Sequence, residues 1–167
     1  MNTDFGLFFE GRNFAYIVDS AIDTLYTNEL YSDGSSVTLW AYIFDGQREQ
    51  TLLCKQNRNS ATDVADKLCF GVKEGYFYAK VYNESLQFDV DVQEGWNFIT
   101  FIVQQDATAT YSQLRMVTYS RSRSASGTKT FSYKWQDDPD YDLLFGGKYA
   151  HDGLNITTGF TGYVSFC

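Results

Sequence analysis

Three groups of side chains in this 167-residue sequence have the types and spacing to do chemistry. The first is Asp89-Val90-Asp91-Val92-Gln93-Glu94. In an extended strand alternation puts Asp89 and Asp91 on one face, with Glu94 close behind, and paired carboxylates are what general acid–base work requires. The second is Trp135 to Asp142, where Asp137, Asp138, Asp140 and Asp142 make an oxygen-rich segment. Such a segment suits Ca²⁺, which takes carboxylate, carbonyl and water oxygens. Its spacing is not that of an EF-hand, and a solvated turn ahead of a strand is the competing reading. The third is a cysteine pair. Cys54 and Cys69 flank a polar stretch, Gln56 to Asp66, that reads as a long hairpin loop. If the strands pair symmetrically about that loop, the two cysteines lie opposite one another at a spacing a disulfide bridges. Two small buried hydrophobes that never oxidise are an equally weighted alternative. Cys167 is the odd one out, which suggests a partner outside this segment of chain.

Other chemistries are excluded by what is missing. His151 is the single histidine, so a His-rich metal centre is ruled out, and no Gly-x-Ser-x-Gly elbow exposes a nucleophile beside it. Phe145-Gly146-Gly147-Lys148 is too short to cradle a phosphate. The formal net charge is −8, from 13 Lys and Arg against 21 Asp and Glu, which argues against nucleic acid because phosphate neutralisation needs a cationic surplus. Arg121 and Arg123 are two cations in one loop, a weak basis for anionic glycans. There is no apolar run long enough to insert in a membrane. The start of the chain lacks the basic and apolar regions of a signal peptide, so a native Met1 would mean a cytoplasmic protein. The sequons Asn83-Glu84-Ser85 and Asn155-Ile156-Thr157 and the cysteines point the other way, to an extracellular or cell-surface domain excised from a longer protein.

The elements that must position these groups are strands. Thirteen Tyr, fourteen Phe and three Trp make 18% of the chain aromatic, and they fall in period-two alternation. Val37–Phe44, Gly75–Tyr82, Leu86–Val92, Trp96–Val103, Gln113–Tyr119, Thr128–Trp135, Leu143–Gly146 and Phe160–Phe166 all read as strands, with Trp96–Val103 apolar enough to be buried on both faces. Turn signals such as Asp45-Gly46, Glu74-Gly75, Glu94-Gly95 and Ser126-Gly127 separate them. A short helix near 17–28 competes with a strand running into a loop. The Ser- and Arg-rich segment from Tyr119 to Gly127 reads as a hairpin tip. The whole chain, 1–167, is expected to be one all-β domain.

The order of these pieces resembles laminin G-like domains of the concanavalin A-like lectin/glucanase superfamily. The carrying segments are Phe9-Glu10-Gly11-Arg12-Asn13-Phe14-Ala15-Tyr16-Ile17, Thr38–Ile43, Thr51-Leu52-Leu53, Phe70–Tyr78, Glu94–Val103, Leu144-Phe145-Gly146-Gly147 and Gly159–Val164. The resemblance implies a jelly-roll sandwich of two antiparallel sheets, with Trp40 and Trp96 in or near the core and an optional Ca²⁺ at the rim. It implies a non-catalytic module recognising glycan or protein within a larger surface protein. Asp89, Asp91 and Glu94 are similar to the Glu-x-Asp-x-x-Glu strand of retaining β-glucanases, which share the superfamily fold. Asp89 at the nucleophile position draws the carboxylate back from the sugar, so the solvated face of an amphipathic strand is the favoured reading of Asp89 and Asp91, and a glycoside hydrolase is the secondary expectation. A purely structural domain used for assembly is the third. Exposed Tyr on a sheet, as from Tyr76 and Tyr78, offers stacking surface for sugars or protein partners.

Overall fold

The computed structural model describes residues 6–17, 35–57, 66–81, 84–105, 112–120, 124–131, 141–149 and 156–166. Alternating apolar residues make nearly all of these extended. The strands run, in chain order, β1 (Leu7–Glu10), β2 (Ala15–Ile17), β3 (Ser35–Ile43), β4 (Gln50–Asn57), β5 (Asp66–Lys73), β6 (Tyr76–Val81) and β7 (Glu84–Asp91). They continue as β8 (Gly95–Gln105), β9 (Ser112–Ser120), β10 (Ser124–Phe131), β11 (Tyr141–Phe145), β12 (Lys148–Tyr149), β13 (Ile156–Thr157) and β14 (Thr161–Phe166). The first sheet has the order β1-β14-β3-β8-β9-β10 and the second β2-β11-β4-β5-β6-β7, while β12 and β13 form a small ribbon. Every pairing is antiparallel. The fold is therefore an all-β sandwich of two antiparallel sheets.

One face of each sheet closes on the core. From the first sheet Phe9, Leu39, Ala41, Ile43, Ile99, Phe101, Met116 and Val164 point inward, and Leu53, Phe70, Phe77, Ala79, Phe88 and Val90 meet them from the second. Phe70 of β5 stacks on Phe101 of β8 across the sandwich, with centroids 3.9 Å apart and planes 15° from parallel. Burial of six Phe side chains to 2% exposure or less at the centre supplies much of the driving force, at roughly 25 cal/mol per Å² of apolar surface. The open edges are tied by Lys129 of β10, whose Nζ lies 3.5 Å from Oδ2 of Asp89 on β7.

Three expectations change. Ile17 ends strand β2, and the rest of the helix expected near 17–28 falls in residues 18–34, outside the described residues. The Ser-rich segment is strand from Ser124 on, not loop to Gly127. Its small residues are the reason: Ala125 packs against the core, and at Gly127 a Cβ would come within 3.1 Å of the Phe88 ring, so β10 can lie close over β7. The signal at Ser126-Gly127 thus marks a close approach, not a turn. Finally, β8 is buried on one face only, because Trp96 on its other face is 46% exposed.

Removing the Phe101 ring opens a cavity against Phe70 that rigid neighbouring strands cannot close. Phe101→Ala is expected to cost about 3–5 kcal/mol of stability in urea unfolding. A loss under ~1 kcal/mol would mean that this stack does not anchor the sandwich.

Candidate functional site: an aromatic face on the first sheet

The outward residues of the first sheet are set by the same alternation that fills the core. With Leu39, Ala41 and Ile43 inward on β3, Trp40 and Tyr42 must point outward, with Phe44 continuing the same phase just past the strand. With Asn97, Ile99 and Phe101 inward on β8, Trp96 and Phe98 point outward. Register then aligns them. Phe8 pairs with Tyr163, Tyr163 with Tyr42, and Tyr42 with Trp96, giving one row across β1, β14, β3 and β8. Trp40 pairs with Phe98 and Phe98 with Tyr119, giving a second row across β3, β8 and β9. The rows are two residues apart, roughly 6.8 Å along the strands.

The rings touch within and beyond the rows. Tyr42 is the hub: its ring meets Trp96 edge to face at 5.4 Å, Tyr163 at 6.2 Å and Phe44 at 5.0 Å. Phe8 lies 4.7 Å from Tyr163, Trp40 lies 5.0 Å from Phe98, and Phe98 lies 6.2 Å from Tyr119. Phe8, Trp40, Phe44, Trp96, Tyr119 and Tyr163 are nevertheless 40–52% exposed. A contiguous exposed apolar surface of this kind marks an interaction site. Trp and Tyr add polar edges to large flat faces, which suits a partner that is half apolar and half hydroxyl.

Local contacts hold the rings in place. Asn97, buried beneath Trp96, donates from Nδ2 to the carbonyl oxygens of Gln93 at 2.8 Å and Gly95 at 3.0 Å, pinning the turn that delivers Trp96 to the outer face. Gly162 lets β14 draw close to β3, since a Cβ there would sit 2.0 Å from the Tyr42 carbonyl oxygen. That close approach brings Tyr163 onto Tyr42. Beside the second row the hydroxyls of Thr38 and Thr100 lie 3.2 Å apart.

The placement of Trp40 and Trp96 is a correction: both lie on the open face, not in or near the core. Both phases of β3 are apolar, and the aliphatic phase, being smaller, is the one that fits between the sheets. Tyr76 and Tyr78 also part company, because a register shift separates their pairings; Tyr76 is exposed while Tyr78 is buried, its hydroxyl 3.4 Å from that of Thr51.

The other sequence-derived candidates are placed as follows. Asp89 and Asp91 are exposed on β7, an edge strand whose Phe88 and Val90 face the core, and Asp89 is paired with Lys129. Glu94 is exposed in the connection to β8. Asp142 faces Gln56 across β11 and β4, and its Oδ2 accepts from the Tyr149 hydroxyl at 3.4 Å. Asp137, Asp138 and Asp140 lie outside the described residues, as do Asn83, Asn155, His151, Arg121, Arg123 and Cys167. Among the described residues no three His, Cys, Asp or Glu side chains gather as a metal site, and no helix is long and apolar enough to cross a membrane. Cys54 and Cys69 face each other directly across β4 and β5, with Cα atoms 4.0 Å apart and their sulfurs joined.

No protein-family model and no curated protein sequence matches the chain. Its fold does match solved structures. The Ruminococcus gnavus sialidase CBM40 bound to α2,3-sialyllactose superposes with a TM-score of 0.63 at 11% identity, over 96% of this chain and 87% of that one. The same module bound to α2,6-sialyllactose gives 0.58 at 12% identity, over 96% and 88%. The shared feature is the β-sandwich, a lectin-like fold also used by carbohydrate-binding modules.

The paired cysteines give a direct check. On reduction the intact chain is expected to gain the mass of two hydrogen atoms, and Cys54→Ser is expected to abolish that gain. A chain whose mass is unchanged by reductant has Cys54 and Cys69 as free thiols. Where the bridge is present, closing a loop of 15 residues contributes about 3 kcal/mol, lost in the Cys54→Ser protein.

Proposed function

We propose that this chain is a non-catalytic glycan-recognition module, working within a larger extracellular or surface protein, and that it binds through the aromatic face of the first sheet. The observation that carries the proposal is the pair of cross-strand rows, Phe8-Tyr163-Tyr42-Trp96 and Trp40-Phe98-Tyr119. A sugar ring presents a patch of C–H bonds bordered by hydroxyls, and a broad aromatic surface covers the first while leaving the second to water or polar neighbours. The likeness in fold to a module that holds sialyllactose supports the class of ligand, though not its identity. Kinship with the laminin G-like branch of the concanavalin A-like superfamily belongs to the same proposal, and rests on the seven ordered segments from Phe9 to Val164. A second reading, in which this face packs on a neighbouring domain or protein, is favoured by the same continuity of exposed rings.

The two readings part on a glycan array. Binding to at least one glycan is expected, with Trp40→Ala and Trp96→Ala each weakening it about tenfold or more at unchanged far-ultraviolet circular dichroism, as truncation of an aromatic anchor does. Among the described residues no metal-ligand cluster stands on the face, so EDTA is expected to leave binding unchanged; loss of binding on chelation would bring a Ca²⁺ at Asp137–Asp142 into the site. An array without a single bound glycan, together with self-association abolished by Trp96→Ala, would favour the packing role.

A further inference from the structure

The exposed rings form one continuous track across the first sheet. Phe8 lies 4.7 Å from Tyr163, Tyr163 lies 6.4 Å from Trp96, and Phe98 lies 6.2 Å from Tyr119. Trp96 and Phe98 are joined by β8 itself, as residues two apart on one face. The step from Tyr163 to Trp96 matters most. Their strands flank β3, two strand spacings or about 9.6 Å apart, so the two rings lean together over Tyr42. Tyr42 stands edge-on to both, its plane at 86° to Trp96 and 88° to Tyr163, and is half-buried between them.

The track is long and evenly exposed. From β1 to β9 the order β1-β14-β3-β8-β9 spans four strand spacings, about 19 Å at ~4.8 Å per strand. Phe8 at one end is 43% exposed and Tyr119 at the other 52%, against 46% for Trp96 in the middle. A pyranose ring is close in breadth to a phenyl ring, so one sugar covers one or two of these side chains. A single terminal sugar would therefore leave most of the exposed aromatic area in water, where it contributes nothing to binding. A chain of linked sugars laid along the track covers it from end to end. Each unit that reaches a further ring adds its own contact.

Resting on the glycan-binding reading, we infer that the aromatic face takes an extended run of linked sugars lying across the strands, an internal stretch of an oligo- or polysaccharide and not a single terminal sugar. Trp96 and Tyr163, closed over Tyr42, form the centre of the track. Phe8 and Tyr119 are its outer positions, met only by ligands long enough to reach them.

Titration calorimetry with oligosaccharide ladders, from the single sugar to about six units, tests this. The ladders are β1,4-linked glucose, xylose, mannose and N-acetylglucosamine, and α2,8-linked sialic acid. On at least one ladder affinity is expected to rise about threefold or more per added unit until about four units are present. Trp96→Ala should weaken every length about tenfold or more. Phe8→Ala and Tyr119→Ala should each stop the rise at least one unit sooner, at unchanged far-ultraviolet circular dichroism. A monosaccharide that binds within about twofold of the longest oligomer would overturn the inference and leave the glycan-binding reading intact. Binding on a broad array that follows the terminal sugar regardless of chain length would overturn it in the same way. No bound glycan on either the ladders or the array would remove the reading itself.

Discussion

The interior of a sandwich accepts only one face of each strand, and the Phe70–Phe101 stack fixes which face that is. The space between the sheets is about 10 Å deep. Phe70, Phe77, Phe88 and Phe101, with Phe9 and Phe160 toward one end, already occupy much of it. What β3 and β14 contribute inward must therefore be small or slender: Leu39, Ala41 and Ile43 on one, Gly162 and Val164 on the other. A one-residue slip of β3 would exchange these for Trp40 and Tyr42, overfilling the core and exposing aliphatic surface. The outer aromatic face is thus the complement of a core that large rings from both sheets have largely filled.

The same constraint explains what was legible in the sequence. Two-residue alternation over long stretches, with Gly-containing turns between, identifies an all-β sandwich from Val37–Phe44, Leu86–Val92 and Phe160–Phe166 alone. The face each strand turns inward is harder. On β7 it is plain, because Asp89 and Asp91 oppose Phe88 and Val90. On β3 and β8 both phases are apolar, so hydrophobicity could not assign Trp40 or Trp96. The usable signal was division by type, with aliphatic Leu39, Ala41 and Ile43 on one phase and aromatic Trp40, Tyr42 and Phe44 on the other. Ser126-Gly127 misled for a related reason: small residues that read as a turn serve instead to bring β10 against Phe88. Cross-strand alignment of the rings was beyond reach, since it depends on register between β1, β14, β3 and β8, segments far apart in sequence.

The shared architecture does not dictate the outer face of the first sheet. The sandwich that this chain shares with sialyllactose-binding modules leaves the outer residues of its strands free to vary, because those residues do not enter the core. In this chain that freedom is used for two cross-strand rows of rings. Buried Asn97 links the two levels. Its amide satisfies the backbone of the Gln93–Gly95 turn from inside while fixing Trp96 outside.

Tryptophan fluorescence reads this face directly. The chain has three Trp, and in a Trp135→Phe protein emission comes from Trp40 and Trp96 alone. Acrylamide should quench both rings in the free protein, and a saturating amount of a glycan bound on the array should shield them. Quenching that is unchanged by that glycan would contradict a binding face built on Trp40 and Trp96.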